Sequence, residues 1–363
     1  MKFSIYMNPQ TSGPDEDVER IEAGIRQAVR VTDAGFAGVV LTEHHLSDYN
    51  TYGDNIMMAA HLAARAQPGT RFFLAAVIPS LHHPIRLAQQ INLLDILTQG
   101  NAIVGLGSGG SPVEFFGLGR NPQDRFEDHA AVADAMNAAL AKAPDDPPLK
   151  WATRYESGTV FTRVMPGRYS GSAPLFARAA ASDEGARAAG EAGMFLFTGR
   201  ARLGEMAARL ALYRDGLVEA GLDDQAIEER LEWSFCQKQV IVRDSDDEAR
   251  EEAFKRIRLT EEYAGRIQGK VAHLRPDNRM RTIVTAANTE AAEFFEKAFI
   301  VGTPATVRAE LQRYAEAGIR HLALYFNFGF MTSGEADRSI DLFLDEVYPH
   351  FRQDAVASAG AVS

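Results

Sequence analysis

Short apolar runs recur along this chain, and stretches with helical spacing of apolar residues separate most of them. Eight runs read as strands, at residues 3–7, 38–41, 72–77, 102–106, 174–180, 194–197, 235–242 and 321–326. Between the first two, residues 15–34 set Val18, Ile21, Ile25 and Ala28 on one face, and Gly35 stops the pattern. Residues 84–98 align Leu87, Ile91 and Leu94 behind Pro84, which at a first helical turn has no needed N–H to lose. Residues 334–350 carry Ile340, Phe343, Leu344 and Val347, and Thr332 with Glu335 has the spacing of a capping box at their start. Eight strands alternating with helices predict parallel pairing through right-handed crossovers. A closed (β/α)8 barrel is the economical fold for that count, and an open doubly wound sheet is the second choice.

Two segments interrupt the alternation. Residues 144–173 hold four prolines, with 155–163 readable as a hairpin. Residues 260–297, charged and irregular in their middle (GRIQGKVAHLRPDNRMRT), read as a long insertion, either a lid over a site or a surface excursion. The expected organisation is one barrel domain over 1–350 carrying these insertions, then a disordered Ala/Ser/Gly tail at 351–363.

Composition narrows the class. With 363 residues, 46% of them hydrophobic, the chain can bury a large core without disulfides or metals. A net charge of −11 argues against a nucleic-acid surface, which needs concentrated Lys and Arg. No apolar run reaches the roughly 18 residues of a membrane span. The start, MKFSIYMNPQ, turns polar too soon for a signal peptide. A single cysteine, Cys236, excludes an internal disulfide framework and suits a reducing compartment. A soluble cytoplasmic protein is expected.

In a β/α barrel, chemistry sits where strands end and loops begin. Those places hold Thr42-Glu43-His44-His45, Ala75-Ala76, Leu81-His82-His83-Pro84, Gly105-Leu106-Gly107-Ser108-Gly109-Gly110, Ala180-Ala181-Ser182-Asp183 and Asn327-Phe328-Gly329. Gly105, Gly107 and Gly110 spell G-x-G-x-x-G after a strand. The following SPVEFFGLGRNP reads as loop, so the helix N-terminus that a dinucleotide fingerprint requires is not expected there. The glycines then either let backbone amides approach a phosphate or ring, or simply ease a turn. Ser182 through Gly185 opens a helix, which suits a phosphate or an ordinary N-cap. Arg125 is either a counter-charge or a salt-bridged surface residue. Adjacent strand residues face opposite sides, so one histidine of each pair is expected at the mouth. No H-x-H, H-E-x-x-H or cysteine cluster occurs, so no metal site is assigned. A neutral imidazole suits proton transfer instead.

In order and spacing, GFAGVVLTEHHLSDY, LAAVIPSLHHPIRLAQQINLLDILTQG, VGLGSGGSPVEFFGLG, SDEGARAAGEAG and VGTPATVRAELQRYAEAGIRHLALYF resemble the bacterial-luciferase-like flavin-dependent monooxygenase family. The resemblance implies a (β/α)8 barrel using reduced FMN (FMNH2) and O2, with a C4a-peroxyflavin oxygenating an organic substrate. It implies a separate NAD(P)H:flavin reductase as partner, and a dimer. His44 would be the catalytic base, Glu43 its acidic neighbour at the flavin edge, and His45 a structural residue pointing inward. Ala75-Ala76 would form a cis peptide under the flavin ring. Ser108, Gly109, Arg125, Ala180, Ser182 and Gly185 would line the phosphate, with Asn327 at the last strand end. The chain departs from luciferase at Gly107 and Ser108, where cysteine and arginine stand, at Ala181, where an acid stands, and at Asn327, also an acid there. One phosphate-side arginine fewer, and no expectation of light emission, follow. Tyr49, Tyr52, Phe115, Phe116, Phe195, Phe197, Phe326 and Phe328 suggest a hydrophobic or aromatic substrate. The alternatives on this scaffold are a deazaflavin (F420) oxidoreductase and a non-catalytic flavin-binding relative.

Overall fold

A computed structural model describes residues 1–169, 175–274 and 291–352. The predicted tail from residue 353 on, and residues 275–290 of the predicted 260–297 insertion, lie outside the described residues, while Phe351, placed in that tail, packs edge-on against Phe3. The barrel strands are β1 (Lys2–Met7), β2 (Gly38–Leu41), β3 (Arg71–Val77), β4 (Ala102–Leu106), β7 (Leu175–Ala179), β8 (Phe195–Gly199), β9 (Phe235–Val242) and β11 (His321–Tyr325). They pair in parallel in that order, and β11 returns to β1, so the sheet closes. The predicted (β/α)8 barrel is therefore the fold.

The differences lie in the insertions. The hairpin begins earlier than its aromatic residues suggest, pairing β5 (Leu149–Ala152) with β6 (Ser157–Val160). The first part of the predicted 260–297 excursion continues a 26-residue helix, α9 (Asp246–Val271). Its Ala249, Ala253, Ile257, Ala264 and Ile267 recur at helical spacing and are buried, which overrides the charged appearance. After α10 (Ala291–Ala298) a short strand missed in the sequence, β10 (Phe299–Gly302), pairs with Gln239–Val242, while the first half of β9 pairs with β8. The last helix, α12 (Ser333–Leu342), starts with the expected capping box between Thr332 and Glu335. It then loosens into a π turn and a 3-10 turn holding Pro349, instead of running regularly to residue 350.

The barrel is filled, not hollow. Val40, Phe73, Ile103, Ala177, Phe195, Phe197, Phe235 and Ala323 pack inside it. Phe197 and Phe235 stack at 4.4 Å, and Phe73 meets both edge-on. At the N-terminal end Lys2 and Arg71 lie over the Trp233 ring, and the buried His321 bonds Ser4 Oγ. Burial pushes the His321 imidazole down to about 3, so it is a neutral core residue. Half of the aromatics named for a hydrophobic substrate, Phe115, Phe195, Phe197 and Phe326, are buried in the core clusters. With the floor plugged, only the C-terminal mouth is left for chemistry.

Candidate functional site

The apolar β2, buried throughout, ends at Leu41, and polar residues then hold its loop in place. Thr42 Oγ1 donates to Asn8 Oδ1, Tyr52 OH donates to the Met7 carbonyl, and Asp54 caps α2 (Asn55–Ala63) by accepting from Met57 N–H. Because 42–45 is loop rather than strand, the alternation expected for the two histidines fails. His44 and His45 are each about a quarter to a fifth exposed, and each is tied to a different carboxylate.

His44 Nδ1 lies 2.9 Å from Glu114 Oε1, which also accepts from the His45 backbone N–H at 3.3 Å. A carboxylate oxygen accepts, so Nδ1 carries the hydrogen and Nε2 keeps its lone pair. The His44 ring meets Tyr49 edge-on at 4.9 Å. Glu114 is the residue that sequence reasoning missed, because SPVEFFGLG reads as loop. It folds as a short helix, α4 (Pro112–Gly117), opening directly after the Gly-rich turn. The available signal was Ser111-x-x-Glu114, capping-box spacing with proline between. Yet Ser111 makes no capping bond, its buried Oγ has no partner, and the Glu114 carboxylate lies on the histidines.

Glu43 is buried. Its Oε1 accepts from His45 Nε2 at 2.7 Å and His82 Nε2 at 2.8 Å, and its Oε2 from Ile78 N–H at 2.9 Å. Burial alone would raise the Glu43 carboxyl, but the two imidazole donors outweigh it and hold it near 2. Burial disfavours charged His45, yet its bond to Glu43 and the charges of Glu43, Glu114 and Asp54 win, raising its pKa. The second histidine pair divides likewise: His83 caps α3 (Pro84–Leu97), leaving His82 at the mouth.

Beside this polar wall lies a shelf of small residues from adjacent strands. The Ala75–Ala76 peptide is cis. Ala75, Ala76, Gly107, Ser108, Gly109 and Ala180 are partly exposed, and Ala179 is exposed. A Cβ on Gly107 would stand 3.0 Å from that of Ala76, and Gly109 has φ +71 with the Phe115 ring behind it. These residues fit a flat ring system lying against β3, β4 and β7. Ser182 caps α6 (Asp183–Glu191) through Gly185 N–H, on the same rim. Arg178, unmarked in the sequence, is exposed at the end of β7 beside Leu106. His129 donates from Nδ1 to the Gly107 carbonyl; burial lowers its pKa against that bond, and the Arg178 charge adds to the lowering. Two expected residues are turned elsewhere. Arg125 is buried, bonds the Pro122 carbonyl in its own turn and lies over Phe126. Asn327 donates to Gln27 of α1 (Asp17–Ala34). A small enclosed cavity, lined by Gln10, Tyr49, Arg200, Gln239, Arg256 and Phe328 among others, lies behind Tyr49. Arg200, at the end of β8 with φ +52, hydrogen-bonds Tyr49.

The family profile described as luciferase-like monooxygenase matches residues 1–321. This chain belongs to the luciferase-like monooxygenase family. Within it, the chain is 30% identical over 161 residues to 4-hydroxyprotoasukamycin monooxygenase of Streptomyces nodosus subsp. asukaensis, covering 44% of this chain and 42% of that protein. It is 25% identical over 243 residues to the alkanal monooxygenase alpha chain of Photorhabdus luminescens, covering 64% and 63%. The match thus spans less than two thirds of these curated relatives. The fold superposes on monooxygenase RslO1 from Streptomyces bottropensis with TM-score 0.73 and 23% identity, covering 97% of this chain and 100% of that one. The FMN complex of the oxygenating constituent of 3,6-diketocamphane monooxygenase from Pseudomonas putida gives 0.71 and 19%, covering 96% and 98%. An F420-dependent secondary alcohol dehydrogenase gives 0.68 and 17%, covering 96% and 98%. Luciferase-like barrels thus include both FMN and F420 proteins. No described helix is long and apolar enough to cross a membrane.

Proposed function

We propose that this chain is the oxygenating component of a two-component flavin monooxygenase, taking FMNH2 from a separate NAD(P)H:flavin reductase and transferring one oxygen atom of O2 to a hydrophobic organic substrate. Reduced flavin, when bound, supplies the electrons that activate O2. The observation that carries the reading is the His44–Glu114 dyad standing over a shelf of residues too small to obstruct a planar ring. Glu114 fixes the His44 tautomer, so Nε2 can take a proton from a reacting group while Glu114 steadies the imidazolium that results. Ser108, Gly109, Ser182, Gly185 and Arg178 would hold the phosphate end, where Arg178 supplies the cation that Gly107-Ser108 lacks. Tyr49, edge-on to His44, would meet the substrate. The reading includes pairing of two copies through α2 and α3, which expose Met57, Leu93 and Leu97, and a cytoplasmic location.

The test is direct. The protein is titrated with FMN, photoreduced FMN and F420 by fluorescence, and O2 uptake is followed with a flavin reductase and NADH. Reduced FMN should bind, and substrate-dependent O2 uptake should fall in His44→Ala. Tight F420 binding with no FMNH2 binding would replace this reading with a hydride-transfer oxidoreductase. Flavin binding without turnover on any substrate class would indicate a non-catalytic relative.

A further inference from the structure

Hydrogen bonds at the mouth run unbroken from a residue outside the dyad to the dyad itself. His82 Nε2 donates to Glu43 Oε1, the same oxygen accepts from His45 Nε2, the His45 backbone N–H donates to Glu114 Oε1, and that oxygen accepts from His44 Nδ1. Glu43 Oε2 meanwhile accepts from Ile78 N–H, just past the cis Ala75–Ala76 peptide. One buried carboxylate therefore joins the loops that follow β2 and β3, and the His44-His45 peptide joins both to α4. We infer that His82 is a positioning residue: through Glu43 and His45 it sets the placement of the His44–Glu114 dyad without touching either member.

The chemistry supports a directed linkage rather than general packing. For one oxygen to accept twice, both imidazoles must carry hydrogen on Nε2, so the Glu43 charge is divided between two donors. Glu43, Glu114 and Asp54 all act on His45 and favour its charged form. Losing His82 leaves the whole Glu43 charge to His45. Losing the Glu43 charge leaves His45 with burial and weaker acidic neighbours. The two changes must act on His45 in opposite directions, which a purely structural role for His82 would not produce.

The experiment needs no cofactor. The nine histidines are labelled with 13C at Cε1 and titrated by NMR in wild type, His82→Ala, His82→Gln and Glu43→Gln. The expected result is a rise in the His45 pKa in H82A and a fall in E43Q, each by about half a unit or more, with a shifted His44 resonance in both. His82→Gln keeps an amide donor for Glu43 and should restore the wild-type curves. Should H82A fail to fold, the H82Q and E43Q curves still decide. Superposed His44 and His45 curves in wild type and H82A, or shifts of the same sign in H82A and E43Q, overturn the inference. Its consequence for turnover rests on the proposed function: H82A should move the pH profile of O2 uptake and leave FMNH2 affinity unchanged. If wild type shows no turnover, that reading fails while the titrations still judge the positioning role.

Discussion

Glu114→Gln separates stability from function most sharply. The side chain is buried, one of its oxygens accepts two hydrogen bonds, and the other has no partner. Bonds to a charged acceptor contribute about 1.5–3 kcal/mol each. Against them stands a desolvation cost of several kcal/mol for a buried carboxylate, with a further ~1–3 kcal/mol for the unpartnered oxygen. These terms nearly cancel, and the amide can still accept from His44 and His45. Unfolding stability should therefore change by no more than about 1 kcal/mol; at ~0.8 kcal/mol/K of unfolding entropy for a 363-residue chain, Tm moves by under about 2 °C. Function should respond differently. An imidazolium formed on His44 loses the charged half of its bond, about 1.5–2 kcal/mol, or roughly a 10- to 30-fold drop in turnover. Differential scanning calorimetry and reductase-coupled O2 uptake across pH give the two readouts. Wild-type turnover with an unchanged pH profile, or a stability loss above about 3 kcal/mol, would refute the reasoning, since Glu114 would then be either idle or structural.

Three further outcomes follow from the geometry. A Cβ on Gly105 would stand 2.6 Å from the Leu74 carbonyl and 2.7 Å from the Phe197 ring, so Gly105→Ala should lose about 2–3 kcal/mol in urea unfolding; wild-type stability would mean the β3–β4 spacing is softer than it looks. Arg178→Ala should weaken FMN binding about tenfold while leaving riboflavin, which lacks the phosphate, unaffected; equal losses for both ligands would remove Arg178 from the phosphate subsite. The Glu43 carboxyl is held near 2 against an ordinary 4.5, so it contributes stability that is fully present above about pH 4.5 and is lost as pH falls through about 2. That contribution is about 3 kcal/mol. The stability gap between wild type and Glu43→Gln, measured by urea unfolding at stepped pH, should shrink over that window, and a gap independent of pH would contradict it.

The strands and the barrel were legible because apolar runs bounded by turn residues carry a period that tertiary contacts seldom override. Residues 38–41 and 235–242 fall where the pattern put them. The failures have identifiable causes. β10 is four residues long and exists because the upper half of β9 offers it a partner, a condition no local pattern encodes. Glu114 was hidden because its six-residue helix is too short for periodicity. The alternation expected of His44 and His45 did not hold because it was extended past Leu41 into a loop. A side chain's charge is visible in the sequence, but neither the Pro122 carbonyl that Arg125 bonds nor the exposed position of Arg178 at the end of β7 is.

β9 is shared by two neighbours in succession, β8 along its first half and β10 along its second. The wall thus behaves as a zip that is closed at the bottom and opens into a branch at the top. Chain entering at that branch, between α9 and β10, adds its ladder bonds above the closure and interrupts none below it. The barrel's own closure, β8 to β9 and β11 to β1, is therefore complete without β10. What the branch carries is not remote from the chemistry, because α9, which runs up to it, packs Tyr263 and Ile267 into one cluster with Tyr49, the ring that meets His44.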